Sequence, residues 1–195
     1  MFSLQLSKIL ASRLLRPLAL LAVAAFAAPG AALADSPWST VGSTGIVDES
    51  CYMAIQMDNF EARLVPGLLF PCKVRYQVTD TFGTGTGIVA NRALFAHIRD
   101  TVATPGNVTV RMFGYNLITG VTTPITATNI NSDVTPSSGT LANGFTVYRS
   151  PPAALGCGVT LNFNTNSYWI EVDFTPAVLT PLPGLALGAL QLRTC

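Results

Sequence analysis

Histidine occurs once in this 195-residue sequence, at position 97. One imidazole cannot build a multi-histidine metal centre, and it leaves a single candidate base for any Ser-His-Asp triad. No serine sits in a G-x-S-x-G elbow, so a hydrolase of that design has no signature here. C-x-x-C spacing is also missing, which argues against a zinc ribbon and against a thioredoxin-like redox pair. Charged residues make up only 11% of the chain, against a usual figure of about 25%. No apolar run approaches the roughly 20 residues of a spanning helix, and no long stretch carries helical periodicity.

What is present begins with an export signal. Lys8, Arg13 and Arg16 form a positive first region, and residues 18–28 are an apolar run between Pro17 and Pro29. Ala32-Leu33-Ala34 then reads as a small-x-small cleavage site. The expectation is a cleaved signal over residues 1–34 and a mature chain from Asp35. Without a paired Arg-Arg, the twin-arginine route is disfavoured. No cysteine follows the cleavage point, which argues against a lipid-anchored N-terminus. The mature protein is therefore expected to be secreted or periplasmic.

Cleavage removes three of the 11 basic residues and none of the 10 acidic ones. Eight against ten leaves a net charge of −2 for residues 35–195. A chain so balanced offers no basic patch for nucleic acid. Its surface must be covered by Thr, Ser, Asn and Gly, which is common in exported β-proteins. The length suits one domain, residues 35–195.

The four cysteines, Cys51, Cys72, Cys157 and Cys195, are even in number in a chain expected to be exported. Two disulfides follow from that, with three connectivities open. Proximity in sequence favours Cys51–Cys72 and Cys157–Cys195.

Short alternating segments bounded by Gly, Pro, Asn or Ser fill the rest. Residues 52–58, 73–80, 93–99, 107–117, 121–128, 144–149, 158–163, 168–175 and 185–193 read as strands or strand pieces. In residues 73–80, Val74, Tyr76 and Val78 face one way. In residues 107–117, Val108, Val110 and Met112 face inward, and Phe113 and Tyr115 fall on the polar side. Gly120 supplies the positive φ of a hairpin turn. Pro124, with no N–H to give the ladder, marks an edge or a bulge. Residues 129–143 are polar and read as a long loop. Residues 158–163 and 168–175 read as a second hairpin around Asn164-Thr165-Asn166-Ser167, and residues 175–183 as a Pro-punctuated connector. The pattern predicts an all-β fold: one antiparallel sandwich or jelly-roll-like domain of about eight strands.

Chemistry is sparse. The run Asp80-Thr81-Phe82-Gly83-Thr84-Gly85-Thr86-Gly87 has one carboxylate, too few for a calcium loop, and no Lys after its last Gly, so it is not a phosphate loop. No catalytic residue, metal ligand or cofactor is assigned. The strand over residues 168–175 places Tyr168, Ile170, Val172 and Phe174 on one face and Trp169, Glu171 and Asp173 on the other. Two carboxylates on one face would meet the spacing of a glycosidase pair, but cross-strand pairing with Lys73, Arg75 or Arg111 is the simpler reading. An exposed indole beside carboxylates and amides is able to stack on a sugar ring, so Trp169, Glu171 and Asp173 are the candidate ligand-binding residues.

Three function classes remain. The first is a non-catalytic exported binding or surface module whose partner is a glycan. The second is a subunit of an envelope or appendage assembly, whose partner is another envelope protein. The third is an enzyme with an unfamiliar site. The missing chemistry lowers the third, and the lack of a long free N-terminal strand extension beyond Asp35 is expected to lower the second, which leaves the first ahead.

Overall fold

Period-2 burial builds this fold. The computed structural model describes residues 37–101, 106–151, 158–177 and 184–195. The expected signal over residues 1–34, the residue Cys157, and much of the Pro-punctuated connector lie outside them. The described residues hold fourteen strands: β1 (Trp38–Val41), β2 (Ile46–Val47), β3 (Ile55–Asp58), β4 (Glu61–Leu64), β5 (Cys72–Val78), β6 (Ile88–Asp100), β7 (Asn107–Asn116), β8 (Thr122–Pro124), β9 (Ile130–Asn131), β10 (Ser137–Thr140), β11 (Thr146–Ser150), β12 (Val159–Asn162), β13 (Asn166–Thr175) and β14 (Leu185–Thr194). Three single-turn 3-10 helices, Gly42–Thr44, Glu49–Cys51 and Thr126–Thr128, complete the ordered elements among these residues.

The strands form two antiparallel sheets. Sheet A runs β10-β11-β6-β14-β4-β3, with β1 also on β14 and β12 also on β6; sheet B runs β2-β5-β13-β7-β8, with β9 also on β7. Eight strands carry the connectivity. Taken in chain order, β4, β5, β6, β7, β8, β11, β13 and β14 alternate between the layers β11-β6-β14-β4 and β5-β13-β7-β8. Only the β7–β8 hairpin stays within one layer. This is jelly-roll connectivity, and it places β13 and β14 in the middle of their sheets.

The two inner faces share one core. Val74, Tyr76 and Val78 of β5, Val108, Val110 and Met112 of β7, and Tyr168, Ile170, Val172 and Phe174 of β13 line it from sheet B. Leu94, Ala96 and Ile98 of β6 and Leu187, Leu190 and Leu192 of β14 line it from sheet A. Each large side chain so buried contributes about 1.5–3 kcal/mol relative to exposure. A one-residue slip would turn a whole row outward, which fixes the register.

The hairpin around Gly120 forms, with φ +71° at that glycine, and Pro124 lies on the edge strand of sheet B. Other expectations need correction. Residues 158–163 and 168–175 do not make a hairpin: β12 pairs with β6 in sheet A, and β13 pairs with β5 and β7 in sheet B. The turn between them carries the chain from one layer to the other. The strand expected from residue 52 begins at Ile55, because Cys51 to Ala54 close a turn through the Ala54 N–H and the Cys51 carbonyl at 2.8 Å. The run over residues 121–128 keeps strand pairing only at Thr122–Pro124 and then turns into a 3-10 helix. The expected loop over residues 129–143 contains β9 and β10, and β10 is exposed at all four positions, so neither face left an apolar trace.

The strand over residues 93–99 is longer than expected. Val89 and then Leu94, Ala96 and Ile98 are buried, so the inward phase changes along the strand. Asn91, at φ +58°, sits at that change and breaks the alternation. In β14, Leu185, Ala186, Leu187 and Gly188 are all buried. The outer side of Gly188 is covered by the Phe145 ring, which a Cβ there would meet at 2.9 Å.

Candidate functional site

The outer face of sheet B collects the residues singled out by sequence. β13 is the central strand, so its outward side chains have neighbours on both sides. Trp169 lies opposite Gln77 of β5 and Phe113 of β7; Glu171 lies opposite Arg75 and Arg111; Asp173 lies opposite Lys73 and Thr109. The face is therefore graded, aromatic at one end and charged at the other.

At the charged end Glu171 is buried, with 7% exposure. Its carboxylate receives Lys73 Nζ at 2.8 Å, Arg111 Nη2 at 3.2 Å and Arg75 Nε at 3.3 Å. Asp173 binds Arg111 and also Lys73, the latter at 3.6 Å. Arg75 continues the chain of charges to Asp48 at 3.4 Å. The Ser50 hydroxyl and backbone N–H hold the Asp48 carboxyl below its ordinary pKa, with Arg75 and Lys73 adding to them. The cross-strand pairing foreseen for these carboxylates is what forms. Glu171 and Asp173 thus serve as internal counter-ions to three cations. A ligand would have to displace those cations to reach Glu171.

At the aromatic end Trp169 is half-buried and stacks on Phe113, with centroids 5.4 Å apart and planes 15° from parallel. Gln77 Nε2 donates to Ser167 Oγ at 3.1 Å, and Tyr115 is exposed at the next outward position of β7. The arrangement offers an indole with amide and hydroxyl groups around it, the set that packs on a sugar ring and bonds its hydroxyls. Sequence alternation placed Phe113 and Tyr115 on their outward face. It carried no information that β7 would lie beside β13, so the stacked pair was invisible.

Below the charged end a cleft of 340 Å³ is lined by Asp48, Ser50, Cys51, Pro71, Cys72, Lys73 and Asp173. Cys51 and Cys72 are buried thiols; burial first, and the neighbouring Cys51 thiol second, push the Cys72 thiol up to about 12. Cys195 is disulfide-bonded, and Cys157, its expected partner, lies outside the described residues.

His97 is on the opposite layer, on the outer face of sheet A, across from Val147 of β11 and Ala189 of β14. Burial lowers its pKa from the ordinary 6.5, and Arg193 adds to the effect. The folded protein therefore prefers neutral imidazole. Stability from that preference is fully present above the unfolded value and is lost as pH falls below it. Between about pH 7 and pH 5, unfolding free energy should fall more steeply in the wild type than in His97→Gln. Urea titrations across that range would show it, and superimposable profiles would contradict it.

No protein-family model matches this chain, and no curated protein matches it. Among solved structures, one described as the structure of infectious bursal disease virus Gt strain is similar at TM-score 0.32 and 8% identity, covering 81% of this chain and 32% of that one. The chain thus spans about a third of the viral chain.

Proposed function

We propose that this chain is an exported, non-catalytic binding module, secreted or periplasmic, whose outer sheet-B face holds a glycan against Trp169. The observation that carries this reading is the Trp169–Phe113 stack with Gln77, Ser167 and Tyr115 beside it. A planar apolar surface ringed by amide and hydroxyl groups matches a pyranose, which has an apolar face and a polar rim. Glu171 and Asp173, engaged by Lys73, Arg75 and Arg111, act from the other end of the same face by fixing the register of β13 beside its neighbours. The reading includes two disulfides, Cys51–Cys72 and Cys157–Cys195, suited to an oxidising compartment.

A second reading, as a subunit of an envelope or appendage assembly, draws support from a different place. Tyr52, Met53 and Leu69 are 77%, 88% and 70% exposed, on the segments that flank the paired strands β3 and β4. Large exposed apolar side chains suit a protein contact. A glycan array with the purified protein separates the two. Selective retention of one sugar class is expected. Silence across the array would overturn the first reading and leave the assembly role.

A further inference from the structure

The outer face of sheet A carries cations that sheet B does not resemble. On sheet B, Lys73, Arg75 and Arg111 all have carboxylate partners. On sheet A, Arg63 and Arg99 share Glu61, at 3.9 and 2.9 Å. Arg149 and Arg193 have no carboxylate partner among the described residues. Both lie on one ring: the guanidinium carbon of Arg193 is 3.8 Å from the Phe95 centroid and that of Arg149 is 5.9 Å from it. The two charges are therefore less than about 10 Å apart, within one Debye length at ordinary salt, so their fields add. Arg149 Nε is buried with no hydrogen-bond partner. His97 follows Phe95 on the same face of β6 and feels Arg193.

Register confirms the cluster. Arg149 and Gln191 are the cross-strand neighbours of Phe95, and Val147 and Ala189 those of His97. The charged or titratable groups around His97 are thus Arg99 on its own strand, Arg149 on β11 and Arg193 on β14. Of these only Arg99 is neutralised, by Glu61. Placing two like charges and an imidazole together costs free energy unless an anion joins them.

We infer that Arg149, Arg193 and His97, arranged around Phe95, form a second binding site, for the carboxylate or sulfate groups of an acidic polysaccharide. Guanidinium forks recognise such oxyanions bidentately. Nucleic acid fits less well. Phe95 is covered, at 8% exposure, so it offers no platform for a base, and two arginines fall short of the phosphate contacts that a duplex demands. The choice of a saccharide polymer rests on the glycan reading above; the anion site itself does not.

The test uses the exported chain without an affinity tag, so that His97 is its sole imidazole. Heparin and polygalacturonate should both bind, dextran should not bind through this face, and raising NaCl should weaken the acidic polymers. Arg149→Gln with Arg193→Gln should lower their affinity by about tenfold or more, while Arg149→Lys with Arg193→Lys should retain most of it. Retention of an uncharged sugar on the array should be unchanged in the glutamine pair, which separates this site from the sheet-B reading. Bound polymer should raise the His97 pKa, read from its ring proton resonances. Unchanged affinity in the glutamine pair, or a His97 titration indifferent to polymer, would overturn the site. Duplex DNA binding as tightly as heparin, with the same loss in the glutamine pair, would overturn the polymer class.

Discussion

Replacing Glu171 with glutamine is expected to lower the free energy of unfolding by about 3 kcal/mol. Removing one partner of a buried ion pair costs about 3–5 kcal/mol, because the remaining charge is left uncompensated. Here three cations lose their common partner, but their side chains are 32%, 48% and 39% exposed, so water screens part of the penalty. The lower end of the range follows. Asp173 keeps Lys73 and Arg111 partly satisfied; Arg75 retains Asp48. Added salt should restore part of the loss. Urea unfolding at two ionic strengths measures both effects. A loss below about 1 kcal/mol would mean that the carboxylate is solvated, and would return Glu171 to the set of ligand contacts.

Closing Cys51 to Cys72 should raise stability by a similar amount. The bond would tie off a loop of about 20 residues, worth about 3 kcal/mol in the chain-entropy model, or about 6–12 °C in melting temperature for a chain of this size. The two thiols are neighbours and both are buried. Burial also protonates Cys72 at neutral pH, and the thiolate is the reactive form. Oxidation should therefore occur during folding, before the pair is enclosed. Refolding in a glutathione disulfide buffer should give the bond: the two thiols pass two electrons and two protons to glutathione disulfide, which leaves as two glutathione thiols. The folded reduced protein should resist both oxidation and alkylation. Non-reducing peptide mapping after each treatment decides it; a crossed pattern, or rapid alkylation of the native protein, would contradict the account.

Much of this architecture was legible because period 2 is a strong signal wherever one face is buried. Val74, Tyr76 and Val78, and Tyr168 through Phe174, announced their strands and their inward sides. The charge pairing of Glu171 and Asp173 with Lys73, Arg75 and Arg111 was likewise readable, since few cations were available. Alternation says which way a side chain faces. It does not say which strand comes to lie alongside. The segment Asn164-Thr165-Asn166-Ser167 has hairpin composition, yet the turn at its start bridges the two layers and Asn166 already begins β13. Asn91 shifted the phase of β6, and Phe145 hid the outward side of β14. The two proposed sites depend on such pairings: Phe113 beside Trp169 in one sheet, Arg149 and Arg193 about Phe95 in the other. Sequence placed each of these residues on a strand face or left it unremarked, and only the register assembled them.

The glycan reading stands or falls on Trp169. The indole is half-buried against Phe113 on an outer face, so Trp169→Ala should cost only about 1–2 kcal/mol of stability, from lost stacking and partial burial. Calorimetric titration of wild type and variant with the sugar that the array selects is the direct measurement. The account predicts that binding disappears in the variant while the melting temperature falls by only a few degrees. Sugar affinity unchanged in a well-folded variant would contradict it.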